Sequence, residues 1–292
     1  MKIGMNLPIM VPGLDRDTVH AWCRAIDEGP FSSLAVGERI NFPNPELTVT
    51  LSMAAAWTSR VRLLYNVLVL PMHDEVLIAK QIATLDVLSG GRVDVAVGVG
   101  GREEDYAAVS ATWDKKRLAK LERQVGRMRR IWAGEKAVPT ALRPVEPFPT
   151  RAGGPEILSG SLFPLSIERA ARFADGVCSF SFGASNVELE GGLNAVRNAW
   201  KAAGRETVPR FVSGTWFALG DTGRAQMDGY LERYLNFMGD AAEFMIPQAK
   251  ITDAASLRDA LARARDLGID EFVLAPTTSD VSELSRLLDV IA

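Results

Sequence analysis

The chain has little of what several function classes require. Cys23 and Cys178, the two cysteines among 292 residues, stand far apart, which fits reduced, buried thiols better than a disulfide framework. Two histidines, His20 and His73, without a cysteine pair at ligand spacing leave no transition-metal pattern. No apolar run approaches the ~18 residues of a membrane-spanning helix. The N-terminus, Met1-Lys-Ile-Gly-Met-Asn-Leu, lacks the apolar core and cleavage site of a secretory signal, so a cytoplasmic location is expected. A net charge of −3 gives no electrostatic footprint for nucleic acid or an anionic membrane, and neither is expected as a partner. The local cluster Arg127, Arg129 and Arg130 reads as a solvated helix face.

What is present is an ordinary globular composition, 47% hydrophobic and 24% charged, enough to bury a sizeable core. Strand-length apolar runs alternate with helix-period segments from end to end, the pattern of parallel strands joined by helical crossovers. Strands are expected at 3–7, 33–37, 61–70, 93–98, 156–160, 176–180, 211–219 and 271–275. Helices are expected at 16–27, 45–58, 75–88, 115–132, 165–174, 186–203, 222–236, 256–267 and 281–290, with Pro45 in the first turn of the second. Eight β/α units in a chain of this length fit a closed TIM barrel with insertions, read as one domain over residues 1–292. Two stretches exceed a normal connection. The proline-rich 133–155 reads as a semi-rigid surface excursion, and 237–255 reads as either a hydrophobic lid or a helix packed on the barrel.

The most informative stretch is residues 84–106. Ser89, Gly90 and Gly91 stop a helix, Val93, Val95, Val97 and Val99 run as a buried strand, and Gly98, Gly100 and Gly101 follow, where a missing β-carbon lets a flat ligand approach the backbone. Active sites of such barrels lie at the carboxyl ends of the strands. Those ends carry Asn6; Glu38 and Arg39; Pro71 and His73; Gly100 to Glu104; Ser159 to Ser161; Ser179 and Ser181; Thr215 and Trp216; and Pro276 and Thr277. This polar, glycine-rich set with aromatic neighbours suits a heteroaromatic cofactor with a phosphate tail. An NAD-linked doubly wound fold is disfavoured, because residues 6–14 lack a glycine fingerprint after the first strand.

Three segments resemble the luciferase-like monooxygenase family: Leu88-Ser-Gly-Gly-Arg-Val-x-x-x-x-Gly-x-Gly with Glu103-Glu104-Asp-Tyr106, Leu158-Ser-Gly-Ser with the helix up to Gly176, and Gly37-Glu38-Arg39. The resemblance implies a homodimeric β/α barrel that binds reduced FMN, or the deazaflavin coenzyme F420, and acts on a small organic substrate, with a flavin reductase as a further partner. The flavin branch oxygenates with O2, the deazaflavin branch transfers hydride, and a non-catalytic flavin-binding protein is the alternative. The resemblance implies cofactor contacts at Asn6, Leu70, Gly98, Gly100, Gly101, Ser159, Gly160 and Ser161, with phosphate at the serines and Ser166 ahead of the helix. Where much of the family has a catalytic histidine, this chain has Arg39, which cannot exchange a proton near neutral pH and would bind an anion instead. Proton transfer then falls to Glu38 or His73. Gly101 replaces a bulky aromatic of the family and is expected to enlarge the substrate space.

Overall fold

The computed structural model describes residues 1–291. In chain order its main elements are β1 (Lys2–Asn6), α1 (Arg16–Glu28), β2 (Ser33–Val36), α2 (Leu47–Trp57), β3 (Arg62–Leu68), α3 (Glu75–Leu88), β4 (Val93–Val97), α4 (Glu103–Ala108), α5 (Arg117–Trp132), β5 (Ile157–Gly160), α6 (Pro164–Ala170), β6 (Gly176–Cys178), α7 (Asn186–Ala202), β7 (Arg210–Phe217), α8 (Gly223–Tyr234), α9 (Ala241–Met245), α10 (Ala254–Asp266), β8 (Glu271–Pro276) and α11 (Ser282–Ile291). The strands pair in sequence order, all parallel, and β8 pairs with β1 to close an eight-stranded barrel.

Period-two alternation decides which side chains go inside. Ala35, Leu64, Ala96, Leu158, Cys178, Val212 and Val273 fill the barrel. Their neighbours Leu34, Val36, Leu63, Tyr65, Val95, Val97 and Ile157 point outward into the shell shared with Trp22, Ile78, Ile82, Val125, Met128 and Trp200. Each large aliphatic buried there contributes about 1.5–3 kcal/mol. Helix caps fix the crossovers: Asp15, Asp74 and Ser185 accept from backbone N–H groups in the first turns of α1, α3 and α7. Gly90 and Gly91 take φ of +71° and +82°, so the turn after α3 is left-handed, as glycine permits.

The differences from the sequence reading are local. Helix α2 starts at Leu47, because the Glu46 carboxylate accepts the Val49 N–H at 2.6 Å and makes the cap, leaving Pro45 outside. Strand β3 stops at Leu68 and a single 3-10 turn, Leu70–Met72, follows. Helix α6 ends at Ala170, four residues short of the expected end. The acidic run after β4 forms the short helix α4, with Glu103, Glu104 and Asp105 in its first turn. The basic cluster on α5 is ion-paired: Arg127 and Arg130 converge on Glu135, and Arg129 reaches Asp175. The 133–155 excursion is tied to α3, since the Thr150 N–H and hydroxyl both donate to Asp86. No helix among the described residues is long and apolar enough to cross a membrane.

Candidate functional site

The two ends of the barrel differ in how their polar groups are satisfied. At the N-terminal mouth, Asp94 receives a two-pronged Arg62 fork at 2.6 and 2.5 Å. Arg210 bridges Asp94, Glu156 and Glu271, and Glu271 also accepts the Ser32 and Ser33 hydroxyls at 2.5 and 2.7 Å. Burial opposes the charge on Arg210, but the three carboxylates outweigh it and push its pKa up. This end is closed by charge.

At the C-terminal mouth Glu38 and His73 come together from the loops after β2 and β3. Glu38 Oε2 accepts the Val69 N–H at 2.6 Å, and its Oε1 accepts from His73 Nε2 at 2.8 Å. The His73 carbonyl in turn accepts Gln124 Nε2 at 2.9 Å, so α5 fixes the loop. Burial works against a charged imidazole, yet the hydrogen bond and charge of Glu38, with Glu46 beyond, raise the His73 pKa above 6.5. Inside the mouth, Asn66 Nδ2 donates to Asn6 Oδ1 at 3.3 Å and Cys178 Sγ donates to Asn66 Oδ1 at 3.2 Å. Burial pushes the Cys178 thiol up to about 12, which keeps it a thiol at neutral pH.

Ser159 and Ser161 are buried and their hydroxyls lie 2.9 Å apart. Such a pair shares one hydrogen, so the other O–H remains available. Ser166 is not available: its hydroxyl donates to the Phe163 carbonyl at 2.7 Å, in the cap of α6. Gly160 is required by packing as well, since a β-carbon there would lie 2.8 Å from Val67 Cγ1 and 3.3 Å from the Val97 carbonyl oxygen. Gly98 meets the same Val67 side chain, and Gly100, at φ +62°, would press on Val69. The Leu70 side chain is fully buried, and its carbonyl accepts the His73 N–H at 3.0 Å, so it enters the mouth through its backbone.

Arg39 is set beside the pair, in a separate arrangement. Its side chain is 1% exposed and its Nη2 donates to Glu104 Oε1 at 3.2 Å. The Asp105 carboxylate lies 3.8 Å from Nε, while accepting the Ile40 and Asn41 N–H groups. Arg39 Cζ sits 4.2 Å from the centre of the Phe42 ring and 5.9 Å from those of Tyr234 and Phe237. Burial, then the charge of Arg102, lower its pKa below the ordinary arginine range, with Asp105, Tyr234 and Glu104 pulling the other way. Gly101 is exposed, and Phe237, from the segment after α8, is its one near neighbour, 3.9 Å from where a β-carbon would lie. An aromatic wall continues from Tyr234 through Trp216 to Phe180 and Phe182.

Sequence reasoning missed Asn66 and Tyr234, and reached Arg102 and Phe237 only as unnamed members of the stretches 100–104 and 237–255. Asn66 had a signal, a polar residue inside the apolar run of β3. Tyr234 had none, since it meets Arg39 only through folding.

A family model described as luciferase-like monooxygenase matches residues 1–283. An uncharacterised protein of Mycobacterium tuberculosis is 30% identical over 171 residues, 56% of this chain and 59% of that protein. The chain thus spans less than two thirds of that relative. The monooxygenase RslO1 of Streptomyces bottropensis has a similar structure at 22% identity and a TM-score of 0.78, covering 100% of this chain and 97% of its own. An F420-dependent secondary alcohol dehydrogenase, in complex with an F420-acetone adduct, has a TM-score of 0.79 at 17% identity, covering 99% and 98%.

Proposed function

Because the chain belongs to the luciferase-like monooxygenase family, we propose that it is an oxidoreductase that holds reduced FMN at the C-terminal mouth and oxygenates a small organic substrate. The observation that carries this reading is the Glu38–His73 pair, fixed at 2.8 Å beside strand ends that bear glycine. The residues present fit such a cofactor. Asn6 and Asn66 offer amide groups, and the Ser159–Ser161 pair keeps one O–H for a phosphate oxygen.

When bound, a reduced flavin supplies the electron pair that activates oxygen. The chain's residues do the rest. Glu38 is immobilised by the Val69 N–H and holds His73 through Nε2, leaving Nδ1 as the ring nitrogen free to exchange a proton. The raised pKa keeps a protonated fraction at neutral pH, as a general acid needs. The wall of Trp216, Phe180, Phe182 and Tyr234, at the carboxyl ends of β6 and β7, would limit water around a cofactor bound at this mouth.

A second reading, hydride transfer with F420, is supported by the same pair: hydride leaving an alcohol carbon leaves an O–H proton, which a carboxylate-held imidazole accepts. The F420-dependent structural neighbour supports it too. Equilibrium titration with FMN and with F420, each oxidised and reduced, separates the readings. Tighter binding of reduced FMN than of either F420 form is expected, the reverse order selects hydride transfer, and binding of neither would sink both.

Two partners belong to this proposal. A separate flavin reductase would supply the reduced cofactor. A second copy of the chain would cover the apolar residues that α2 and α3 leave exposed, Val49, Met53, Leu77 and Leu88; sedimentation at micromolar concentration should give twice the chain mass.

A further inference from the structure

Arg39 and Arg102 are close enough for their charges to oppose each other, and neither is saturated. Arg39 Nε and Nη1 are buried with no hydrogen-bond partner, as is Arg102 Nε. Arg102 forms no salt bridge among the described residues; its guanidinium lies 4.1 Å from the Phe237 ring centre and 5.2 Å from that of Tyr234. Phe237 therefore stands against both guanidiniums and beside Gly101, in the space where an aromatic ligand would find two cationic forks and an aromatic wall. It is 39% exposed, in the short turn after α8.

Buried N–H groups without acceptors are rare in folded proteins and mark either strain or an absent partner. Glu104 and Asp105 balance the formal charge but leave these donors unmet. Glu104 reaches only Nη2, and Asp105, whose Oδ1 accepts two backbone N–H groups, brings its Oδ2 no closer than 3.8 Å to Arg39 Nε, beyond hydrogen-bond distance. We propose that the Arg39–Arg102 pair is a receptor for the carboxylate or phosphate of a planar ligand, which binds by displacing Phe237 from the two guanidiniums. The inference rests on the reading of the C-terminal mouth as the cofactor and substrate site, and it narrows the substrate to a ring-bearing anion. A guanidinium fork matches the two oxygens of such a group, and the ligand's ring takes the place against the guanidiniums that Phe237 gives up.

The anion could belong to the substrate or to the cofactor's tail, and the test separates them. Benzoate and benzamide, one charged and one neutral, are titrated into the FMN-loaded parent, Arg102→Ala and Phe237→Ala; FMN and riboflavin are titrated into each unloaded protein. Arg102 is only partly buried, so its removal spares the fold, and circular dichroism checks this. In the parent, benzoate should bind at least ten-fold tighter than benzamide. Arg102→Ala should abolish that preference, and Phe237→Ala should tighten benzoate several-fold. If Arg102→Ala instead removes the advantage of FMN over riboflavin, the pair holds the cofactor phosphate and the receptor stands with that source. If FMN binds but Arg102→Ala leaves both ratios as in the parent, the receptor is overturned; if the parent binds no flavin or deazaflavin, it is the functional reading that fails.

Discussion

At the N-terminal mouth of the barrel Arg62 and Arg210 meet Asp94, Glu156 and Glu271 in one network, each charge facing an opposite one. At the C-terminal mouth Arg39 is more deeply buried than either, yet two of its nitrogens have no partner. A saturated buried network costs desolvation and returns it in hydrogen bonds. An unsaturated one costs the same and returns less, and a ligand that completed it would recover the difference. On the reading proposed above, stability falls to one end of the barrel and binding to the other, the division expected of β/α barrels.

The largest effect should come from the N-terminal mouth. Arg210→Met leaves Asp94, Glu156 and Glu271 facing one another with Arg62 alone, and should cost about 3 kcal/mol of stability. Urea unfolding measures it, and a loss under about 1 kcal/mol would mean that this network does not hold the barrel shut.

Arg39→Met should behave in the opposite way. Removing the guanidinium also removes its unmet donors, so stability should change by no more than about 1 kcal/mol in either direction. Affinity for benzoate in the FMN-loaded protein should nevertheless fall about ten-fold, equivalent to roughly 1.4 kcal/mol. Equal losses of stability in Arg39→Met and Arg210→Met would erase the distinction between the two ends.

The smallest effect is a pH dependence at Glu38–His73. The folded pKa of His73 lies above the 6.5 of a free imidazole, so the pair's contribution to stability is fully present below pH 6.5 and lost as pH rises through the folded value. Glu38→Gln should lower the His73 pKa, read by NMR titration, and flatten that part of the stability profile. A His73 pKa unchanged in Glu38→Gln would remove the pair from any proton-handling role.

Much of the fold was legible because alternation within each strand and helical periodicity between strands are local properties. Ala35 and Ala96 face inward between outward Leu34, Val36, Val95 and Val97, as the period of two requires. Six of the eight strand ends were read a residue or two long, since a turn such as Leu70–Met72 is as apolar as the strand before it, while β5 ends where expected and β8 runs one residue further. At the site, Glu38, His73, Ser159 and Ser161 could be named from their positions after strands. Their states could not: that Ser166 is spent on a cap, or that Gly160 makes room for Val67, depends on neighbours remote in sequence.

The sequence by itself determined the eight-unit barrel and the polar character of its carboxyl end, because both follow from residue order over a few positions. Only the tertiary structure decided that Phe237 stands beside Gly101, that Arg39 contacts Glu104 across 65 residues of chain, and that Arg102 stands beside it. Closing the barrel brings loops from distant units to a common rim. Which of their side chains then touch is set by strand tilt, loop length and packing together, quantities that no local pattern of residues carries.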